Sequence, residues 1–399
     1  MDPTIHTHAL ERAAAAPMLE RTLAWGAVNS GTGNLAGLTT MAGLLADAAA
    51  ALPGEVALVE AAPEEIVDGD GRVGSIRRGQ HLHVAVRTQA PVQILLTGHM
   101  DTVYPADHPF QSHRVLPDGR INGPGLADMK GGLAIMLGAL DGVEASPLRE
   151  RIGYELIVNS DEETGSHGSA ALIARAAQGK RAALTFEPAT TPEGRLAGAR
   201  PGSGNLSIVV EGRSAHAGRN PEDGRNAIVA ASDLALRLAR AAGPRLSVNP
   251  ARIDGGGPNN VVPAHAVLRV NLRPHTPADE ARARALIDAA VAMVAAEHEV
   301  AITCHGGFAR PPKPLEEQAD RLFALVRDCG RELDLAIDWA PSGGVCDGNN
   351  IAACGVPVID TMGARGGAIH SAEEYLIPES LPERARLATL VMLRLAEGA

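Results

Sequence analysis

The chain has 399 residues, of which 45% are hydrophobic and 21% charged, so it can build large hydrophobic cores and is not a disordered chain. Four Phe, three Tyr and two Trp leave little surface for base stacking, and with a net charge of −11 they argue against a nucleic acid as partner. A length near 400 predicts more than one domain, because single cores stop growing at roughly 250–300 residues.

Membrane insertion and secretion are not expected. The longest apolar stretch, Gly131 to Leu140, is much shorter than the ~20 residues that a spanning helix needs. The first residues contain neither a basic nor an apolar segment, so we expect no signal peptide and a cytoplasmic protein. The four cysteines lack paired zinc spacing and are expected to be reduced. One of them, Cys346, lies in a Gly-rich loop and is expected to be a small core or loop residue.

The first third of the chain predicts helices followed by strands. Ala-rich sequence favours helices at 9–28 and 38–51, with a turn rich in Gly and Asn between them. Short aliphatic runs then predict strands at 55–60, 82–87 and 92–97. In the last of these, Ile94, Leu95 and Leu96 are continuous rather than alternating, which is typical of a strand buried on both faces.

The next segment alternates between helix and strand. The pattern predicts a helix at 132–140, a strand at 154–158, a helix at 169–177 and a strand at 183–186. This alternation predicts an α/β domain in three layers, with a mixed, mostly parallel sheet. Ligands bind such sheets beyond the carboxyl ends of the strands. The polar residues at these positions are His99, Asp101, Glu162, Glu163 and Glu187.

The pattern changes after residue 196. Strands are predicted at 206–211, 246–253, 265–273 and 300–304, and helices at 221–242 and 277–297, in the order βαββαβ. In the third strand Leu268, Val270 and Leu272 alternate with polar residues, as expected for a sheet covered on one side. We therefore predict an inserted α+β dimerisation domain at 197–309, between two parts of a catalytic domain at 1–196 and 310–399.

The last segment returns to the first domain. It predicts a helix at 315–334, a Gly-rich loop at 342–350, a strand at 356–360 and a closing helix at 381–397. The loop after the last strand ends at His370, so a second histidine lies beyond a strand end.

Residues of metal-ligand type recur at these strand ends. His99 and His370 together with at least three carboxylates, and without cysteine, form a nitrogen and oxygen donor set that suits Zn²⁺, Co²⁺ or Mn²⁺. The number of acids indicates two metal ions that share a carboxylate. Each residue alone fits a surface histidine or a solvated acid equally well, so the metal hypothesis depends on their joint placement.

Ordered motifs in this chain resemble one enzyme family over almost the whole length. They are GHMDTV at 98–103, GPGLADMKGG at 123–132, NSDEETGS at 159–166, FEP at 186–188, SAHAG at 214–218, NVVP at 260–263 and GARGGAIHS at 363–371. The family is that of the di-zinc exopeptidases, which includes aminoacylases, acetylornithine deacetylase, succinyl-diaminopimelate desuccinylase and glutamate carboxypeptidases of the carboxypeptidase G type.

The resemblance implies a set of five metal ligands. Asp128 would bridge two zinc ions, His99 and Glu187 would complete the site of one ion, and Glu163 and His370 would complete the site of the other. Cobalt or manganese would also suit these ligands.

The resemblance also assigns roles beside the metals. Asp101 would accept a hydrogen bond from His99 and so fix its tautomer. Glu162 would be the general base, which takes a proton from a water molecule whose pKa the metals lower. Spacing alone also allows the reverse assignment, with Glu162 as the ligand and Glu163 as the base.

Substrate contacts are implied in the inserted domain and the Gly-rich loop. His216 would stabilise the oxyanion, Arg273 with Asn260 would bind the α-carboxylate, and Gly343 and Gly344 would belong to the substrate loop. In this family the inserted domain dimerises, so a homodimer is implied, with His216 acting on the partner's site. Alternatively, His216 caps the helix that starts near residue 221, and Arg273 is a surface arginine.

These features predict a zinc-dependent hydrolase that cleaves an amide bond of an N-acyl amino acid or short peptide to release a C-terminal amino acid. Pro124 and the pair Glu187-Pro188 are more similar to the glutamate carboxypeptidase branch, which makes a glutamate-like product the expectation. The alternative is an N-acyl amino acid deacylase, such as acetylornithine deacetylase or succinyl-diaminopimelate desuccinylase. A metal-free binding protein on the same fold would require a lost ligand, and every ligand position is present.

Overall fold

The computed structural model describes residues 4–398, and the helices and strands below are those of this range. The helices are α1 (Thr4–Ala14), α2 (Met18–Gly26), α3 (Leu35–Ala49), α4 (Gly131–Glu144), α5 (Ala170–Ala177), α6 (Ala227–Arg240), α7 (Pro277–His298), α8 (Glu317–Glu332), α9 (Asp347–Ala353) and α10 (Ser380–Glu397). Within the described range, no helix has both the length and the apolar character needed to cross a membrane.

The strands are more numerous than the sequence predicts, because several pair over only two residues. They are β1 (Glu55–Val59), β2 (Glu64–Val67), β3 (Val73–Ile76), β4 (His81–Val86), β5 (Val92–His99), β6 (Arg114–Val115), β7 (Ile121–Asn122), β8 (Ile152–Asn159), β9 (Ala182–Thr185), β10 (Leu196–Ala197), β11 (Ser203–Glu211), β12 (Leu246–Gly255), β13 (His265–Pro274), β14 (Ala301–Arg310), β15 (Trp339–Ala340), β16 (Val358–Ile359), β17 (Gly366–Gly367) and β18 (Tyr375–Leu376).

The main sheet has six strands in the order β1-β4-β8-β5-β9-β16. Strands β8, β5, β9 and β16 are mutually parallel, and β4 alone runs against the others. On the central strand β5, Ile94 and Leu96 belong to the larger core on one face, whereas Leu95 belongs to a second core on the opposite face. This arrangement confirms the predicted α/β fold with a mixed, mostly parallel sheet.

Two predicted helices are wrong in extent because a local signal interrupts them. The helix expected at 9–28 is two helices, since Pro17 lacks a backbone N–H and disfavours helical geometry at the residue before it. The helix expected at 221–242 begins only at Ala227. There the side chain of Asn226 caps the helix by accepting a hydrogen bond from the backbone N–H of Val229 at 3.1 Å.

A second sheet of four strands has the order β12-β13-β11-β14, and helices α6 and α7 pack on one of its faces. Leu268, Val270 and Leu272 point into a separate hydrophobic core beneath these helices. The alternating residues Arg269 and Arg273 lie on the open face, half-buried. The limits of an inserted domain at 197–309, and its role in dimerisation, stay a prediction.

The main sheet positions the candidate site. His99 is the last residue of β5, the segment with Glu162 and Glu163 follows β8, and Glu187 follows β9. Because these strands are parallel, their carboxyl ends meet at one edge of the sheet. His99 and Glu187 lie almost ninety positions apart in the sequence, and this geometry brings them together at that edge.

Candidate metal centre

Three side chains form a first cluster at the carboxyl edge of the sheet. The Nε2 atom of His99 lies 3.2 Å from Oδ1 of Asp128 and 3.7 Å from Oε2 of Glu187. One possible ligand atom from each residue lies within 4.8 Å of the others. The cluster is almost fully enclosed, with His99 only 1% exposed. Its geometry suits a single cation held by one imidazole and two carboxylates.

A second cluster shares Asp128 with the first. The Nε2 atom of His370 lies 3.2 Å from Oδ2 of Asp128 and 3.3 Å from Oε2 of Glu163. The two carboxylate oxygens of Asp128 therefore face different histidines, one in each cluster. His370 itself is exposed, so the second cluster opens toward the cleft.

Strong pKa shifts occur throughout the two clusters. Burial raises the pKa of Glu163 to about 7, whereas hydrogen bonds to Asp128 and Glu163 raise the pKa of His370 to about 10. Burial alone would lower the pKa of His99, but Glu187 and the other carboxylates around the ring raise it well above its ordinary value. The raised pKa of both rings shows that the surrounding carboxylates create a strongly negative environment. Positive charge is favoured at these two positions, which fits a pair of divalent cations.

Asp101 lies beside His99 and is fully buried. Its backbone carbonyl is 2.9 Å from Nδ1 of His99, and its carboxylate Oδ1 is 3.4 Å from the same atom. The carboxylate also accepts hydrogen bonds from the backbone N–H groups of Glu162 and Glu163, each at 3.1 Å. Asp101 can therefore orient His99 and the Glu162 segment at the same time.

Glu162 faces a partner that the sequence did not reveal. Its Oε1 atom accepts a hydrogen bond from Arg310 at 2.6 Å, and Arg310 also donates to Asp347 at 2.7 Å. Burial raises the pKa of Glu162 well above its ordinary value, although Arg310 acts in the opposite direction. The only sequence signal for Arg310 is its position directly before Pro311, where the chain leaves β14.

The clusters open into a cleft of about 1030 Å³. Glu162 and His370 line it on one side, and Arg273 lines it from the open face of the second sheet. The guanidinium of Arg273 is held by Oδ1 of Asn271 at 3.1 Å and by the carbonyl of Gly343 at 3.3 Å.

The Gly-rich loop forms another wall of this cleft. Gly344 lines the cleft, and its carbonyl accepts a hydrogen bond from Arg200 at 3.0 Å. Arg200 also pairs with Asp360 at 2.7 Å, so the loop is tied to the strand end that follows β16. Cys346 is buried and lines the cleft as well, so it lies beside the candidate site rather than away from it.

Of the predicted substrate residues, Arg273 and Gly344 line the cleft, whereas Gly343, Asn260 and His216 do not. His216 and Asn260 are both exposed and do not line it. They lie next to each other, because the N–H of Ala217 donates to the carbonyl of Asn260 at 2.9 Å. The two residues therefore form a pair on the surface, in the part of the chain that contains the second sheet.

Comparisons with known proteins agree on one family. Residues 95–394 match the model described as Peptidase family M20/M25/M40. Carboxypeptidase G2 from Pseudomonas sp. (strain RS-16) is 32% identical over 347 residues, which cover 84% of this chain and 79% of that protein. Succinyl-diaminopimelate desuccinylase from Xanthomonas oryzae pv. oryzae (strain MAFF 311018) is 30% identical over 312 residues, with coverages of 72% and 79%.

Solved structures agree on the fold. The aminopeptidase PepT from Bacillus cereus ATCC 10987 has a TM-score of 0.71 and 23% identity, over 97% of this chain and 99% of that one. At this identity the likeness concerns the fold alone. The sequence range that matches the family model contains both clusters, from His99 to His370.

Proposed function

This chain belongs to peptidase family M20/M25/M40, and from that premise we propose that it is a di-zinc carboxypeptidase that releases a glutamate-like C-terminal amino acid. It is a metal-dependent hydrolase with two groups of residues suited to metal binding. The proposed ligands are His99 and Glu187 for one ion, Glu163 and His370 for the other, and Asp128 between them. The substrate class is an N-acyl amino acid or a short peptide.

The position of Arg273 is the main support for assigning a carboxypeptidase activity. Its guanidinium lines the same cleft as the metal clusters and is fixed by Asn271 and Gly343. A guanidinium group is planar and permanently charged. Held in a fixed orientation, it binds a carboxylate better than the flexible ammonium group of a lysine does. The identity of 32% with carboxypeptidase G2 supports the same choice.

The chain's own residues supply the proton transfers. Glu162 lines the cleft beside the clusters, and Arg310 fixes its orientation through Oε1. Burial raises the pKa of Glu162, which makes its carboxylate a stronger proton acceptor. Glu162 takes a proton from the attacking water and returns it to the leaving nitrogen. When bound, divalent metal ions supply positive charge that acidifies water and polarises the scissile carbonyl.

A comparison of substrates at equal enzyme tests the proposed specificity. We expect glutamate release from an N-acylglutamate to be faster than acetate release from N-acetylornithine or succinate release from N-succinyl-diaminopimelate. An amidated N-acylglutamate serves as a matched control, because it lacks only the α-carboxylate. Faster turnover of N-acetylornithine or N-succinyl-diaminopimelate would assign the chain to the deacylases instead.

Replacing Arg273 with Ala should mainly impair substrates with a free α-carboxylate. Charge-assisted hydrogen bonds contribute on the order of 1.5–3 kcal/mol, so kcat/KM should fall roughly 10- to 150-fold. The amidated substrate, already poor for the wild type, should change little. Arg252→Ala, an exposed arginine on the same sheet, is the control variant and should leave both substrates unaffected. Equal turnover of acid and amide by the wild type would contradict a carboxylate clamp.

A homodimer is part of the same proposal. Large apolar side chains stand exposed on the helices of the second sheet, at Val229 and Leu236 on α6 and at Leu286 and Met293 on α7. Exposed apolar side chains on two neighbouring helices favour association with another copy. The position of His216 outside the cleft of its own chain supports the same assembly.

A further inference from the structure

Glu374 is a fully buried carboxylate that the proposed reaction does not use. Its Oε1 atom accepts hydrogen bonds from the backbone N–H groups of Ala127 at 3.0 Å and Asp128 at 3.1 Å. Its Oε2 atom accepts from the backbone N–H of Gly125 at 3.1 Å and from the hydroxyl of Tyr104 at 2.8 Å. Four donors therefore converge on one side chain, and three of them belong to the turn that carries Asp128.

The backbone around Glu374 is joined to the same turn. Strand β18 pairs antiparallel with β7, with Tyr375 opposite Asn122. The side-chain amide of Asn122 donates to the carbonyl of Glu374 at 2.7 Å, and the N–H of Gly123 donates to the same carbonyl at 3.2 Å. The segment that follows His370 is thus fixed to the segment that leads to Asp128, through both side chain and backbone.

The second cluster depends on this junction more than the first does. His99 ends strand β5 and Glu187 follows β9, so the six-stranded sheet anchors both. His370 lies in a loop with a left-handed φ of 62°, outside any strand or helix. Its distance from Asp128 is therefore set by the contacts between the two loop segments, and the carboxylate of Glu374 makes the contacts that reach the Asp128 turn itself.

We propose that Glu374 is a positioning residue, whose carboxylate holds the Asp128 turn against the His370 segment and so prepares the second cluster for its metal ion. This inference rests on the ligand set of the proposed function. Residues that orient metal ligands typically contribute 10- to 100-fold to metal affinity. The effect of Glu374 should concern the Asp128, Glu163 and His370 site first and the His99 site less.

Metal titration of the metal-free protein tests this role without measuring activity. Glu374→Gln keeps the shape but replaces one acceptor oxygen with an amide that faces N–H donors. In calorimetric titrations with Zn²⁺, we expect the wild type to bind two ions, and the variant to bind one of them roughly 10- to 100-fold less tightly. Titration with Co²⁺ should show an altered visible spectrum for that site, which a loss of stability alone would not cause.

Two further variants keep the result interpretable. Glu373→Gln changes the exposed neighbour of Glu374 and should bind both ions like the wild type. Tyr104→Phe removes one of the four donors and should weaken the second ion by a few-fold, even if Glu374→Gln does not fold. Unchanged affinity and spectra in the folded variants would overturn the proposal. Failure of the wild type to bind a second ion would instead show that the proposed ligand set is wrong, and the positioning role with it.

Discussion

Glu162→Gln is expected to lower turnover at least ~10²-fold while leaving the bound metal and the fold in place. Glutamine has the same size and can still accept the hydrogen bond from Arg310 that Oε1 accepts at 2.6 Å. It cannot take a proton from water or return one to the leaving nitrogen. Turnover and metal content measured on the same samples separate the loss of a proton carrier from the loss of a ligand.

The adjacent substitution provides the contrast. Glu163→Gln should lower the metal content, because Oε2 of Glu163 lies in the second cluster, 3.3 Å from His370. Glu373→Gln is the control for a charge change near the site, since Glu373 is exposed and close in sequence to His370. If Glu162→Gln lost metal and Glu163→Gln kept it, the assignments of base and ligand would be exchanged.

The sequence predicts the edge of the sheet where chemistry can occur. The continuous run Ile94 to Leu96 indicates a central buried strand, and polar residues placed directly after such strands must meet at one edge. The rule selects His99, Glu187 and the pair Glu162-Glu163, without deciding which member of that pair is the metal ligand. Asp128 and His370 lie in loops, where their residue types make them candidate metal ligands, and the resemblance of their motifs to a family assigns their roles before the structure is known.

Residues that position other residues of the site are harder to predict from the sequence. Arg310 and Glu374 carry charges that a sequence pattern assigns to the surface, yet both are at most 2% exposed. Their partners lie far away along the chain, since Arg310 contacts Glu162 and Glu374 contacts the Asp128 turn. No local periodicity encodes a contact over such separations, so these two residues emerge only from the folded chain.

Mixing two inactive variants, His216→Ala and Glu162→Ala, is expected to restore about a quarter of the wild-type activity after random re-pairing. Half of the dimers are then mixed. In each mixed dimer, one site combines an intact Glu162 with an intact His216 from the other chain. Subunit exchange by mild denaturation and refolding, followed by an activity assay, measures this directly, with each variant re-paired with itself as the control.

Two features of His216 support action across the proposed dimer. His216 is exposed and does not line the cleft of its own chain. It also does not cap helix α6, because Asn226 occupies that position, and Nδ1 of His216 accepts instead from the N–H of Gly218 at 3.1 Å. Because His216 neither lines the cleft of its own chain nor caps helix α6, its side chain is available to contact a partner's site.

The alternative makes a different numerical prediction. If His216 acts within its own chain, every chain in a mixed dimer carries one defect at its own site, so re-pairing would leave activity at the level of the two parents. If His216 has no role in catalysis, His216→Ala would be active before any mixing. Only action across the dimer combines two inactive parents with recovery to about a quarter, because only then do the two defects fall on the same site and leave the other site intact.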